Sequence, residues 1–420
     1  MLAELAGSKR KISDVQASAE DSYLFNEPDM DDTIVKGPAG ELLGATAVKT
    51  VDYVTRQNPR GPAAQREMAE ALVHAYRLYT TPEDFLGKVC TRFFTALENV
   101  EAVQTACIEL LEFLVNSNFR LDFGPRPALI NSLQSFLLRV CMAGSAVPPQ
   151  VCDRAMKVSQ LAKLFAAQLR LGPGSFAPEA YARTPDTTAA AFLGVPFQEF
   201  VKQLTCIQAG QLALVSTGEL LSEAWRDPAK APGLAKYLAW ETSFRRALLA
   251  MVVTAKRDGD RKKLLLRYSE IAEEAYNIGN FAGFVIFYQV LTAPEIAGHK
   301  KLFEKKALKR LETFDTYAAG NFAAIAQAQK TRSPCIPYVQ LWIDDVGHME
   351  KEAPHTYGTN PAMWNWAKIH KCGTALKPGA TFLQAAGFKI EDKRQIVALI
   401  FAIRTSVSAE EITKMAAALK

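Results

Sequence analysis

Four side chains able to hold a metal ion fall close together near the C-terminal end: His348, His355, His370 and Cys372. Imidazole and thiolate are common zinc ligands, but structural zinc sites gather them in close-spaced pairs, and these four match no such spacing. No metal or other cofactor is therefore assigned. Trp342, Trp364 and Trp366 lie in the same stretch. Aromatic packing between two helices accounts for them more simply than a ligand cage. The signatures of phosphate binding and covalent catalysis are missing: there is no GxxxxGKS or GxxxxGKT loop, no GxGxxG, no HExxH and no GxSxG. The chain carries no nucleotide-binding device of its own and no recognisable covalent chemistry.

The elements that must position these residues read as helices, and the expected fold class is all-α. Residues 1–32 are rich in Ser, Asp, Glu and Lys without periodicity and are expected to form a tail. Within them Ser8-Lys9-Arg10-Lys11 could be a nuclear address, though such short runs are more often simply solvated. Thr80-Thr81-Pro82-Glu83-Asp84 is a strong helix start, with a capping threonine, a proline for the first turn and acids at the positive end of the dipole. Val103, Cys107, Leu110, Leu111 and Leu114 form one apolar stripe at helical spacing. A further amphipathic helix runs through Leu133, Phe136, Leu137 and Val140, with a stop near Pro148-Pro149. Residues 171–185 hold Gly172, Pro173, Gly174, Pro178 and Pro185, a density of breakers that predicts a connector. Beyond it, helices are expected over 199–214, 218–225, 234–255, 262–277 and 281–291. The expected organisation is two helical domains, 33–170 and 186–420. No fixed-period repeat supports a solenoid.

At 420 residues and 49% hydrophobic composition the chain can bury a large core. Its 49 basic and 44 acidic side chains leave a formal charge of +5. That small excess would suit a weak, transient approach to an anionic membrane surface or an acidic partner, but it is no nucleic-acid footprint. The seven cysteines form no CxxC pair and mostly sit in apolar stretches, as expected of reduced thiols in a cytosolic protein. Met1-Leu2-Ala3-Glu4 lacks the basic start of a secretory signal, Leu2 excludes myristoylation, and Ala418-Leu419-Lys420 offers no prenylation cysteine. Apolar runs such as 281–291 and 396–403 are too short to cross a bilayer. The expectation is a cytoplasmic protein, with recruitment to a membrane left open.

Several blocks in order resemble the Ras-family guanine-nucleotide exchange factors. In the first half, Ala75-Tyr76-Arg77-Leu78-Tyr79-Thr80-Thr81-Pro82-Glu83-Asp84-Phe85-Leu86, followed by the apolar helix over 110–119, is similar to the Ras exchanger motif that accompanies the catalytic domain. In the second half, Glu199-Phe200-Val201-Lys202-Gln203-Leu204-Thr205 resembles the opening block of that domain. Glu270-Ile271-Ala272 with Asn280-Phe281 resembles a central block, and Asn321-Phe322 with Pro334-Cys335-Ile336-Pro337-Tyr338 resembles the approach to a functional helical hairpin. Met363-Trp364-Asn365-Trp366-Ala367-Lys368 resembles the segment that follows it. The resemblance runs from about Thr33 to the end.

What this resemblance implies is an N-terminal Ras exchanger motif-like bundle and a larger RasGEF catalytic domain with a protruding hairpin. The implied function is promotion of GDP release from a Ras-type GTPase, such as Ras, Rap or a relative, without covalent chemistry. A factor of this kind binds the nucleotide-free state better than the loaded one, so factor and nucleotide compete reciprocally. By motif position, the first hairpin helix runs from about Tyr338 to Glu352. Asp344, Glu350 and Glu352 then present negative charge to the phosphate site, and Asn280 holds the hairpin's orientation. A solvated acidic face and a capping asparagine are the plainer alternatives. Tyr338, Trp342, Asp345, Val346, Gly347, His348, Lys351, Asn365 and Trp366 are expected to face the GTPase. The hairpin tip departs from the family pattern. Gly347 stands where some members carry an apolar residue, and Lys351 replaces a glutamate. A scaffold that keeps the fold and binds a GTPase without releasing its nucleotide is therefore the second reading. An unrelated helical adaptor and a metalloenzyme built on the histidines rank below it.

Overall fold

In the computed structural model, residues 24–58, 60–171, 185–383, 390–391, 393–403 and 407–418 are described. They divide into two units by contact. The first comprises residues up to 171 together with Ser216–Glu223 and Val346–Lys377. The second comprises residues from 185 to Val215, Ala224–Asp345 and those from Pro378 onward. The chain therefore returns twice to its N-terminal unit, a pattern not anticipated by a single cut at a connector. The expected connector, 171–185, lies almost wholly outside the described residues. So does the expected tail as far as residue 23. From there on the chain is packed: Phe25 is buried, and the Asp29 carboxylate accepts from Lys36 Nζ at 2.6 Å.

The first unit is helical for the reasons its sequence suggests. Thr81 caps the Pro82–Thr95 helix, its hydroxyl accepting the Asp84 N–H at 3.2 Å, with Pro82 in the first turn. The apolar stripe through Leu110, Leu111 and Leu114 lies on the Val100–Asp122 helix, and all three are fully buried. Pro127–Met142 follows, and then Pro149–Leu171, so Pro149 opens a helix as well as ending a turn. Tyr76 stacks on Phe85 with ring centroids 4.3 Å apart, and its hydroxyl donates to the buried Asp122 carboxylate. A small antiparallel sheet joins this unit, in the order β1 (Ile34–Lys36), β2 (Leu42–Ala45), β3 (Trp364–Asn365). Its strands are too short for an alternating pattern to show in the sequence.

The second unit packs around Asp258–Ile278 and Phe281–Leu291. Phe281, Phe284, Val285, Ile286 and Phe287 are wholly buried, so this helix is apolar all round. Phe197–Leu212, Pro232–Val253, Arg394–Ala402 and Ala409–Ala417 complete the unit. Lys305–Thr331 is two helical pieces, because Ala319 is extended and Gly320, Asn321 and Phe322 all have φ between 55° and 62°. Residues 218–225, expected as a helix, form only short turns at Thr217–Leu220 and Ala224–Arg226. Ser222 and Glu223 adopt φ of 54° and 53°, a left-handed geometry that a right-handed helix cannot accommodate. Among the described residues, no helix is long and apolar enough to cross a membrane.

Candidate functional site: a helical pair and its anchor

The pair consists of Val339–Glu352 and Trp366–Leu383. The first begins one residue after the expected start and ends where expected. The division between units falls within it, at Asp345/Val346.

In the second unit, the approach to the pair is held by main-chain bonds around Asn280. The Ile336 N–H donates to the Gly279 carbonyl at 2.9 Å, and the Ile336 carbonyl accepts the Phe281 N–H at 2.9 Å. Gly279 ends the preceding helix with φ 86°, and a side chain there would press on Arg332 and the Pro334 carbonyl. The Asn280 side chain is fully buried and has three partners. Its Nδ2 donates to Thr205 Oγ1 at 2.8 Å and Gln208 Oε1 at 2.7 Å, and its Oδ1 accepts the Gly283 N–H at 2.7 Å, capping Phe281–Leu291. Asparagine suits this place because it supplies both donors and an acceptor on one planar group. The Tyr338 N–H donates to Gln329 Oε1 at 2.7 Å, and the Tyr338 ring meets Phe322 edge-on at 5.4 Å. The left-handed turn at Phe322 is thus what sets its ring against Tyr338. Leu341, Trp342 and Ile343 are buried, whereas Asp344 and Asp345 are exposed. Asp344 accepts from Gln340 Nε2 at 2.9 Å, and Asp345 lies 3.9 Å from Lys330 Nζ.

In the first unit, Val346 is fully buried. Glu350 Oε1 accepts the Ser222 N–H at 2.8 Å. Burial, the largest influence, pushes the Glu350 carboxyl above its ordinary pKa, while the Ser222 N–H pulls it down. Lys351 is exposed and lies 3.8 Å from Glu223. The exposed Glu352 pairs with Lys371 at 3.0 Å, which holds its carboxyl below the usual range. His348 Nε2 is 3.1 Å from Glu352. A side chain added at Gly347 would meet no neighbouring atom. Trp366–Leu383 is fastened by close approach: Gly373 packs its Cα against the Ala71 main chain, where a Cβ would overlap. Lys377 pairs with Glu70 at 2.6 Å. Asn365 bridges the connection, its Nδ2 donating to the Pro354 carbonyl at 2.9 Å and its Oδ1 accepting the Ala367 N–H at 3.1 Å.

The sequence-derived candidates therefore fall into two groups. Asp344, Asp345, His348, Lys351 and Glu352 are exposed, and Tyr338, Gly347 and Glu350 are partly so. Asn280, Trp342, Val346, Asn365 and Trp366 are buried. The residues considered as metal ligands are each engaged elsewhere. His348 faces Glu352, His355 stacks on Tyr79 at 4.4 Å, His370 lies 3.7 Å from Glu67, and Cys372 is buried. Trp364 stacks on Tyr79 at 5.1 Å. Sequence reading missed Ser222, Gln329 and Gly373. Only the glycine left a signal, and it was one among many.

In the second unit, then, an apolar helix is pinned to a Pro-Cys-Ile-Pro-Tyr turn that leads directly into Val339. Residues 199–370 match the RasGEF domain family. That span holds the Asn280 anchor and most of the pair. Among curated proteins, Ras guanine nucleotide exchange factor H of Dictyostelium discoideum is 22% identical over 330 residues, covering 76% of this chain and 52% of the relative. Exchange factor J of the same organism is 19% identical over 314 residues, covering 69% of this chain and 38% of the relative. Exchange factor I is 21% identical over 337 residues, covering 75% and 39%. The chain thus spans about half or less of the length of these relatives. The all-helical architecture of the second unit accords with the RasGEF match.

Proposed function

We propose that this chain promotes GDP release from a Ras-type small GTPase by setting the Val339–Glu352/Trp366–Leu383 pair beside the GTPase phosphate and magnesium site. The observation that carries this reading is the RasGEF match over residues 199–370, which takes in the anchor, all of Val339–Glu352 and the start of Trp366–Leu383. In this account, the exposed Asp344 and Glu352, with the partly exposed Glu350, bring negative charge toward bound phosphate and disfavour the loaded state. Asn280 is a positioning residue that fixes where the pair rises. The N-terminal unit is the counterpart of a Ras exchanger motif and braces the distal part of the pair. Support for that role comes from the Ala71/Gly373 contact, the Glu70–Lys377 ion pair and the β2/β3 pairing.

A second reading is favoured by particular residues. Gly347 leaves an empty place on the pair, Lys351 adds positive charge beside the acids, and Glu350 already accepts a main-chain N–H. A scaffold that binds a GTPase without discharging it would look the same. Release of fluorescent GDP from a panel of Ras-subfamily GTPases, in excess unlabelled nucleotide, separates the two. Acceleration supports exchange. Complex formation with nucleotide-free GTPase and no acceleration supports the scaffold.

A further inference from the structure

Nine large apolar side chains are exposed among the described residues, and seven of them lie between positions 94 and 164. Four are on one antiparallel helix pair, Pro127–Met142 and Pro149–Leu171. These are Leu138 and Met142, 59% and 75% exposed, and Met156 and Leu164, 45% and 61% exposed. The two helices lie side by side, since Gln134 Nε2 donates to the Ser159 carbonyl at 3.1 Å and the Cys141 thiol faces the Cys152 carbonyl. Leu133, Phe136 and Val140 on one, with Val151, Ala155 and Val158 on the other, point to the core. At 100° per residue, Leu138, Met142, Met156 and Leu164 then fall on the opposite, outer face of both helices. Phe94 borders this face, meeting Phe136 edge-on at 5.7 Å with the Arg139 guanidinium 5.3 Å above its ring. The charge of this face is basic on balance: Arg139, Lys157 and Lys163 outnumber Asp153, the one acid of residues 127–171, while Arg154 is paired with Glu109 and Glu112 of the neighbouring helix. Lys157 and Lys163 are exposed on the same outer face.

We propose that this outer face docks on an anionic lipid surface. Scattered leucine, methionine and phenylalanine among lysine and arginine is the composition of an interfacial face, with apolar tips entering the acyl boundary and cations held at the headgroups. Lysine and arginine stems extend that apolar contact while their charges stay in water. A second copy of the chain would set this basic face against an identical basic face, so charge disfavours self-association there. The proposal is independent of the exchange reading. Its test is flotation of the full chain with vesicles of phosphatidylcholine alone and with about one-third phosphatidylserine. Binding should require phosphatidylserine and weaken as salt rises. Lys157→Glu with Lys163→Glu should lower partitioning at least about tenfold, since each cation near the surface contributes substantially. Leu138→Ser with Met142→Ser should also reduce it, while circular dichroism and the unfolding midpoint stay unchanged because these side chains are exposed. Absence of binding, or equal binding to both vesicle types, overturns the proposal. So does a concentration-dependent dimer abolished by Leu138→Ser/Met142→Ser, which would make a second copy the occupant. A salt-sensitive complex with an acidic protein, formed in place of vesicle binding and lost in the lysine variants, overturns it in favour of a protein partner.

Discussion

Asn280 bonds three buried groups at once, so its removal takes a donor from Thr205 Oγ1 and Gln208 Oε1 and leaves the Gly283 N–H without its cap, although Thr205 still donates to the Val201 carbonyl. Asn280→Ala should cost about 2–4 kcal/mol of stability, read from urea unfolding, because unmade buried hydrogen bonds are expensive. His74 makes a pH-dependent contribution. It is buried with its Nδ1 3.1 Å from Thr217 Oγ1, and burial depresses its pKa from 6.5 to about 4. Below pH 6.5 the unfolded chain takes up a proton that the folded one resists. The stability His74 confers is therefore full above pH 6.5 and is lost as pH falls toward 4, by up to about 3 kcal/mol. Unfolding midpoints measured from pH 7 to 5 should fall in the parent and change less in His74→Gln. The two residues differ in legibility. Asn280 was marked by its place in a motif, whereas the burial of His74 depends on Thr217, 143 positions away.

At the scale of elements, the pair is fixed by features that the sequence reveals unevenly. The helix start at Pro82, the apolar helix Phe281–Leu291 and the span of Val339–Glu352 were all legible, because caps, prolines and periodicity are local. Strand β3, the left-handed break before Phe322 and the turn at Ser222–Glu223 were not, because each is imposed by distant packing. Gly373 is the clearest example. It sits in a helix, where alanine is ordinarily preferred, yet a Cβ would strike the Ala71 main chain. Gly373→Ala should therefore destabilise by about 1–3 kcal/mol in thermal unfolding, the usual cost of overpacking. Gly347 behaves oppositely. Nothing crowds it, so Gly347→Ala should stabilise by up to about 1 kcal/mol through helix propensity. Opposite signs for two helical glycines of one pair would verify the packing described. Equal signs would refute it.

For the whole molecule, the order of motifs foretold the all-helical class and the RasGEF match, but not the division of the chain. Segments Ser216–Glu223 and Val346–Lys377 join the N-terminal unit through Asn118, Ser222, Ala71 and β2, contacts that no local pattern announces. The distal acids consequently carry structural partners as well as charge, and the exchange account must be tested with that in mind. Glu350→Gln preserves an oxygen to accept the Ser222 N–H, and Glu352→Gln removes charge from an exposed position. The most direct measurement is the rate of fluorescent GDP release from a responsive Ras-type GTPase, with the parent chain and with this double variant. The account predicts acceleration by the parent and about tenfold less by the variant, equivalent to ~1.4 kcal/mol in the barrier, with unfolding unchanged. No acceleration by the parent across the panel, despite binding to nucleotide-free GTPase, would contradict it.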